Sequence, residues 1–310
     1  MITALCGGVG GSKLALGLYL ESSPGDLSLV VNTADDLTFA GLHVSPDLDT
    51  VCYTLAGLAP TDVGWGIAGD TFHSLSMLET FGVPTWFRIG DRDLATHVFR
   101  TSQLQAGLSL TQVTETVTER FGVTASILPM TDDDVATELL VQGEWLGFQE
   151  YFVKRRHSDD VDAIRYLGLE AASTSAATLR AIDTADAIIL VNSNPVLSIL
   201  PILGVQDVNA RVASSQAPRV AVSPVVGNDA VTGPAAKLLC LIEQPSSVVG
   251  VAGAYLGVID GIVIDRQDRN RAAEIEAMGL AVLCTDTIMR TVEDRRRLAR
   301  ETLKFALSLR

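Results

Sequence analysis

The chain has 310 residues, 47% of them hydrophobic and 19% charged, a balance that can bury a large core and does not suit a disordered chain. Its formal net charge of -14 would repel a polyphosphate backbone, so nucleic acid is not an expected partner, although a single anionic ligand can still be held by amides and a cation. Met1 leads straight into Ile2 with no basic region or cleavage pattern, and the longest apolar run, 248–259, is broken by glycine and falls short of the roughly 20 residues that span a bilayer; a cytoplasmic location without a membrane anchor is the expectation.

Short β-branched runs at 2–6, 27–32, 187–191, 219–222, 262–265 and 281–284 alternate with helical patterns at 11–20, 71–81, 174–183, 233–241, 268–278 and 291–309. That alternation predicts one Rossmann-like α/β domain over 1–310, a doubly wound, mainly parallel sheet covered on both faces. Residues 92–165 read differently, with helical patterns at 94–106 and 110–121 followed by short strands at 126–128, 138–141 and 149–153; they are expected to form an inserted α+β subdomain. Cys6, Cys52, Cys240 and Cys284 lie too far apart for a zinc site and read as core residues.

Residues with chemical potential gather at predicted strand ends. Gly7-Gly-Val-Gly-Gly-Ser-Lys13 falls between the first strand and a helix expected to begin near Lys13. Glycines there let backbone N–H groups approach a phosphate at a helix N-terminus, although the spacing matches neither standard phosphate motif, and a tight packing turn is the competing reading. Asn32-Thr-Ala-Asp35-Asp36 follows the second strand, where open α/β sheets bind ligands; adjacent carboxylates there suit magnesium, against the plainer reading of an Asx turn with solvated acids. Asp47 and Asp49 precede the apolar run 51–58, where Asp49 or Thr50 can also serve as a helix cap.

Further along, Gly64 to Asp70 and Trp86 to His97 combine aromatics, glycines and alternating Arg and Asp, a pattern suited to a flat heteroaromatic ligand. Surface pairing of Arg88 and Arg92 with Asp91 and Asp93 is the alternative, and His97 reads as a packed or capping histidine. Asn192-Ser-Asn-Pro195, running on to Ser198, and the segment from Ser223 to Asn228 follow two later strands and can supply amide and hydroxyl groups to a nucleotide, or simply N-cap the next helix. No Cys, Ser or Lys stands out as a covalent nucleophile, so direct displacement at phosphorus is expected.

Taken in order, Gly7 to Gly11, Asn32 to Asp36, Pro46-Asp-Leu-Asp-Thr50, Trp65 to Phe72, Trp86 to His97, Leu128 to Asp132, Phe148-Gln-Glu-Tyr-Phe152, Asn192 to Pro195 and Ser223-Pro224 resemble the 2-phospho-L-lactate transferases of coenzyme F(420) biosynthesis. The resemblance implies transfer of a phospholactyl-type group from a guanosine diphosphate-linked donor to 7,8-didemethyl-8-hydroxy-5-deazariboflavin, with GMP released and Mg2+ as the metal. By carry-over, Asp49, Arg88 and Trp86 would contact the deazaflavin. Gly8, Gly10, Gly11, Ser12, Lys13, Asn32, Asn192, Ser193, Asn194 and Ser198 would hold the donor, and Asp35, Asp36 and Asp47 would serve the metal. Asp49, with Asp36, is the expected catalytic pair, Asp49 being favoured to orient or deprotonate the hydroxyl. Val9, Ser12 and the Asn228-Asp229 pair depart from the family pattern and leave the donor open among lactyl, enolpyruvyl and glyceryl forms. The competing reading is a related nucleotide-sugar-binding regulator. A homodimer is the ordinary expectation for an enzyme of this size.

Overall fold

The computed structural model describes residues 1–60, 63–227, 229–230 and 235–310. In its first half, β1 (Ile2–Cys6), α1 (Gly8–Glu21) and β2 (Leu27–Val31) are followed by a hairpin of β3 (Leu37–Phe39) and β4 (Leu42–Val44), then α2 (Pro46–Leu55), α3 (His73–Thr80), α4 (Asp91–Gln105), α5 (Leu110–Arg120) and β5 (Ser126–Pro129). A small antiparallel sheet of β6 (Ala136–Val141), β7 (Glu144–Gly147) and β8 (Ala163–Leu167) comes next. The second half runs α6 (Ala176–Asp183), β9 (Ala187–Leu190), α7 (Leu200–Gly204), α8 (Gln206–Ser214), β10 (Arg219–Val222), β11 (Val225–Val226), β12 (Asp229–Ala230), α9 (Ala235–Leu239), α10 (Val248–Ala254), β13 (Gly261–Asp265), α11 (Ala272–Glu276), β14 (Ala281–Thr285) and α12 (Val292–Leu307).

Seven strands form the central sheet in the order β14-β13-β10-β9-β1-β2-β5, every pairing parallel. Side chains alternate between its faces, as the strand period of two requires. Leu5, Val30, Ile188, Leu190, Ala221 and Ile262 join a core with Ile202, Val208, Val251 and Ile275 from α7, α8, α10 and α11. Ala4, Cys6, Leu29, Val31, Ile189 and Val263 pack on the other side against Leu14 and Leu18 of α1, Val51 of α2 and Leu298 of α12. Both faces are therefore dry, which explains strands that read as continuous apolar runs.

The predicted doubly wound α/β fold is present, with four local differences. Helix α1 opens at Gly8 and not near Lys13, because Gly8 adopts a left-handed φ of 63° that turns the chain within one residue. The strand at 126 is an edge of the central sheet, Ser126 lying opposite Ser28, so the part that stands apart is the small β6–β8 sheet and not all of 92–165. Residues expected as a strand at 149–153 form a π-helical turn, Glu150–Lys154, and Phe148 and Phe152 stack at helical spacing with ring centroids 5.2 Å apart. The helix expected at 268–278 is a short 3₁₀ turn, Arg266–Arg271, leading into α11. Of the helix expected at 233–241, its first two residues, like Asn228, lie outside the described residues.

Candidate active site

From β1 the sheet grows outward through β2 and β5; the chain then returns to add β9 on the other side of β1 and grows the opposite way. Such a reversal opens a crevice at the strand C-termini. A cleft of about 500 Å³ lies there, lined by residues that follow both β1 and β9.

Of the glycine turn, Gly7, Gly8, Val9 and Gly10 line the cleft. Gly7 N–H donates to Ser193 Oγ (2.9 Å), and that hydroxyl donates back to the Gly7 carbonyl (2.6 Å). A Cβ on Gly7 would come within 2.5 Å of Asp47 Oδ2 and 2.7 Å of Ser198 Cβ, and one on Gly11 would run into Ser193 Oγ. Close approach thus requires both glycines. Gly11, Ser12 and Lys13 do not line the cleft; the Ser12 hydroxyl donates to the Val9 carbonyl at 2.9 Å.

Helix α2 begins with Pro46 and carries Asp47 and Asp49 in its first turn, where the helix N-terminus favours negative charge. Asp35 and Asp47 both face the cleft. Asn32 does not; its Nδ2 donates to Asp47 Oδ2 (3.1 Å) and its Oδ1 accepts from Ala34 N–H (3.0 Å), so it orients the acid. Burial pushes the Asp47 carboxyl up to about 7, with the Asp36 charge adding to the rise and the Asn32 amide opposing it. Burial and the Asp47 charge raise Asp35 well above the carboxylate range, and Asp35 Oδ1 is buried with no hydrogen-bond partner among the described residues. Asp36 points elsewhere: its Oδ2 accepts from Ser45 Oγ (2.6 Å) and lies 3.0 Å from His43 Nε2, and it is absent from the cleft lining.

Asp49 also faces the cleft, but from behind it is held by both Nη atoms of Arg100. His97 Nδ1 lies 3.7 Å from Asp49, His97 Nε2 lies 3.3 Å from Asp93, and Tyr53 O–H donates to Asp93 at 2.8 Å. The sequence reading did not bring these groups together. Their signal was the spacing of Asp93, His97 and Arg100, which puts all three on one face of α4.

One wall of the cleft is aromatic, formed by Trp65, Trp86 and Phe87, with Arg88 beside them. The Arg88 guanidinium sits 4.3 Å from the Phe72 ring centroid, a cation–π contact, and makes no ion pair with Asp91 or Asp93. Asp70 and Asp91 anchor this wall to α3 and α4. Asp91 accepts from His73 and Ser74 N–H at 3.0 and 2.8 Å, and Asp70 from Arg92 and Asp93 N–H at 2.9 and 3.0 Å. Phe148, Gln149, Phe152 and Val153 form another wall, and Gln149 Nε2 donates to the Asp35 carbonyl (3.0 Å).

After β9, Asn192, Ser193, Asn194 and Ser198 all reach the lining. Asn194 is also an N-cap, its Oδ1 accepting from Val196 and Leu197 N–H at 3.0 and 3.1 Å, whereas Asn192 Oδ1 is buried and unpartnered among the described residues. No group of three or more His, Cys, Asp or Glu gathers at metal-binding distance among the described residues. Two carboxylates, Asp35 with a bare oxygen and Asp47, still suit a hard cation such as Mg2+, which takes one or two carboxylates and completes its shell with water and phosphate oxygens.

The family model for "2-phospho-L-lactate transferase CofD" matches residues 2–301. A phosphoenolpyruvate transferase of Streptomyces griseus is 39% identical, the match covering 100% of this chain and 99% of that protein. A 2-phospho-L-lactate transferase of Methanospirillum hungatei is 37% identical over 98% of this chain and 99% of its own. Among solved structures, a UPF0052-family protein from Bacillus halodurans superposes with a TM-score of 0.65 over 97% of this chain and 98% of that one, at 14% identity, a likeness of fold. With a family match over nearly its whole length and relatives well above 30% identity end to end, the chain belongs to the 2-phospho-L-lactate transferase CofD family.

Proposed function

We propose that the enzyme transfers a phospholactyl-type group, whether 2-phospho-L-lactyl, phosphoenolpyruvyl or 3-phosphoglyceryl, from a guanosine diphosphate-linked donor to the ribityl hydroxyl of 7,8-didemethyl-8-hydroxy-5-deazariboflavin in coenzyme F(420) biosynthesis. The hydroxyl oxygen would form a bond to the phosphorus next to the acid. The phosphoanhydride bond to GMP breaks, and the hydroxyl proton is released. The observation that carries this reading is the meeting, in one switch-point cleft, of the Gly7–Gly10 backbone, an acid pair with an uncommitted oxygen, and an aromatic wall beside Asp49 and Arg88.

Phosphoryl transfer asks a protein mainly for positioning and charge neutralisation, and those are what the cleft residues offer. Backbone N–H groups at the start of α1 and the Asn192 side chain would bind the donor; Trp86 and Arg88 would bind the deazaflavin edge and face. Asp35 and Asp47 would hold Mg2+, which when bound supplies a Lewis acid for the diphosphate oxygens. Asp36, hydrogen-bonded to Ser45 and His43 outside the lining, would support the acid loop and not ligate the metal or react. The regulator alternative predicts loss of an acceptor site, and the intact Trp86, Arg88 and Asp49 wall weighs against it.

The test is titration of purified protein with the deazaflavin, read by its fluorescence, followed by Mg2+ and each guanylyl donor with products identified by mass. Saturable binding and one donor's phosphodiester product are expected. Absence of deazaflavin binding together with tight nucleotide-sugar binding would overturn the reading in favour of the regulator.

A further inference from the structure

Arg100 is 2% exposed and is the only Arg or Lys in the buried class among the described residues. Taking a guanidinium out of water costs several kcal/mol unless it is paired, and replacing a buried ion pair by well-packed apolar residues is often neutral or stabilising. Stability alone therefore does not account for the pair. What it does locally is specific. The two Nη atoms grip both oxygens of Asp49, a fork geometry that fixes the plane of a carboxylate and occupies only part of its acceptor capacity. Asp49 itself lines the cleft.

The arginine is itself held. Its Nη1 lies 3.3 Å from His97 Nδ1, His97 Nε2 lies 3.3 Å from Asp93, and Asp93 accepts from Tyr53 O–H at 2.8 Å, so α2 and α4 are tied at two levels. The α4 N-terminus is tied in turn to Asp70, which accepts from the backbone N–H of Arg92 and Asp93. We propose that Arg100, steadied by His97, is a positioning residue that sets the Asp49 carboxylate in one plane to receive the acceptor hydroxyl. This rests on the reading of Asp49 as an acceptor contact, and it assigns Asp49 the task of orienting the hydroxyl.

The experiment is steady-state kinetics on R100K, R100M, D49N and the D49N/R100M double variant, with deazaflavin binding read by fluorescence. R100K keeps the charge and loses the fork. It is expected to lower kcat by about 10- to 100-fold, the scale of a small misplacement, and to raise the acceptor KM while the donor KM stays within about twofold. The double variant, which removes both buried charges, is expected to be no slower than D49N, because residues acting as a unit are not additive. If R100K does not fold, the double variant decides: equality with D49N supports the proposal, and a further loss beyond D49N overturns it. A folded R100K with unchanged kcat and acceptor KM in an otherwise active enzyme overturns this inference alone. A wild type that makes no phosphodiester takes it down together with the functional reading.

Discussion

Two groups of aspartates sit at strand C-termini in the two halves of the sheet, and the protein satisfies them to different degrees. After β13, Asp265 accepts from Gln267 N–H at 3.0 Å and from Thr287 N–H and hydroxyl at 2.9 and 3.2 Å, and these bonds hold its carboxyl below the usual range in spite of burial. Asp268, just beyond it, accepts from Gly227 N–H with both oxygens, at 3.1 and 2.9 Å, which opposes but does not cancel the rise that burial causes in its carboxyl. After β2, Asp35 has an oxygen with no partner, and burial drives both it and Asp47 upward. The residue type and the place in the fold are the same. What separates a clip from a candidate ligand site is whether the protein itself satisfies the carboxylate.

That contrast can be broken first by mutation. Asp47→Asn should cut kcat by about 10²- to 10³-fold, the scale of losing one preorganised charge-stabilising group, without lowering the melting temperature. Asp265→Ala should do the reverse. It strands the Thr287 and Gln267 donors, at about 1–3 kcal/mol for each buried group left unsatisfied, and should lower the melting midpoint while the folded fraction keeps its kcat. If D47N destabilised as much as D265A, the two groups would be the same kind of feature.

The pH dependence sharpens the comparison. Asp47 rises from 3.8 to about 7 on folding, so between those values the native state holds a proton that the unfolded chain has lost. Stability of metal-free protein from this group should therefore fall as pH rises through that window and level off above it, by on the order of a few kcal/mol in all. The lowered Asp265 contributes in the opposite sense, its stabilisation being lost as pH falls through its native value. Melting curves of wild type and D47N from pH 4.5 to 7.5 check the first claim, since D47N should lack the decline. Mg2+ at saturating concentration should raise the melting temperature of wild type and leave D47N nearly unmoved, the smallest of these effects, since 100 Kd of free ligand contributes about 2.7 kcal/mol. A shift of equal size in D47N would place the ion elsewhere.

Much of this was legible from periodicity. The strands at 2–6 and 219–222 are where their β-branched runs put them, because a strand dry on both faces has no alternative to a continuous apolar run. The edge position of Ser126–Pro129 was not legible, since its pairing partner is set by tertiary contact with a distant strand, Ser126 lying opposite Ser28. Asp35, Asp47, Asp49, Trp86 and Arg88, which line the cleft, were legible because clustered acids, and aromatics beside glycine and arginine, stand out singly in a sequence. Arg100 was missed because its meaning is relational; His97, read as a packed or capping histidine, is buried but was not linked to Asp49 or Asp93. An arginine seven residues after an aspartate on a helix looks like a solvated face until Asp49 is seen behind it. Asn32 and Ser193 were read as donor ligands, but their hydrogen bonds go to Asp47 and to the Gly7 backbone.

The place of β1 in the sheet bears on how the protein comes to be made. Ile2 pairs with Leu27 on one side and with Ala187 on the other, so a chain emerging from the ribosome can dock only one flank of its first strand until some 160 further residues have followed. At about 5–20 residues per second, that flank waits on the order of ten seconds or more. During that interval the glycine turn lacks Ser193, and the unpaired strand edge invites association with other nascent chains. The cleft thus stays incomplete until the segments after β9 and β10 have been made, and release before then would yield a fragment with an acid pair, an open edge and no crevice.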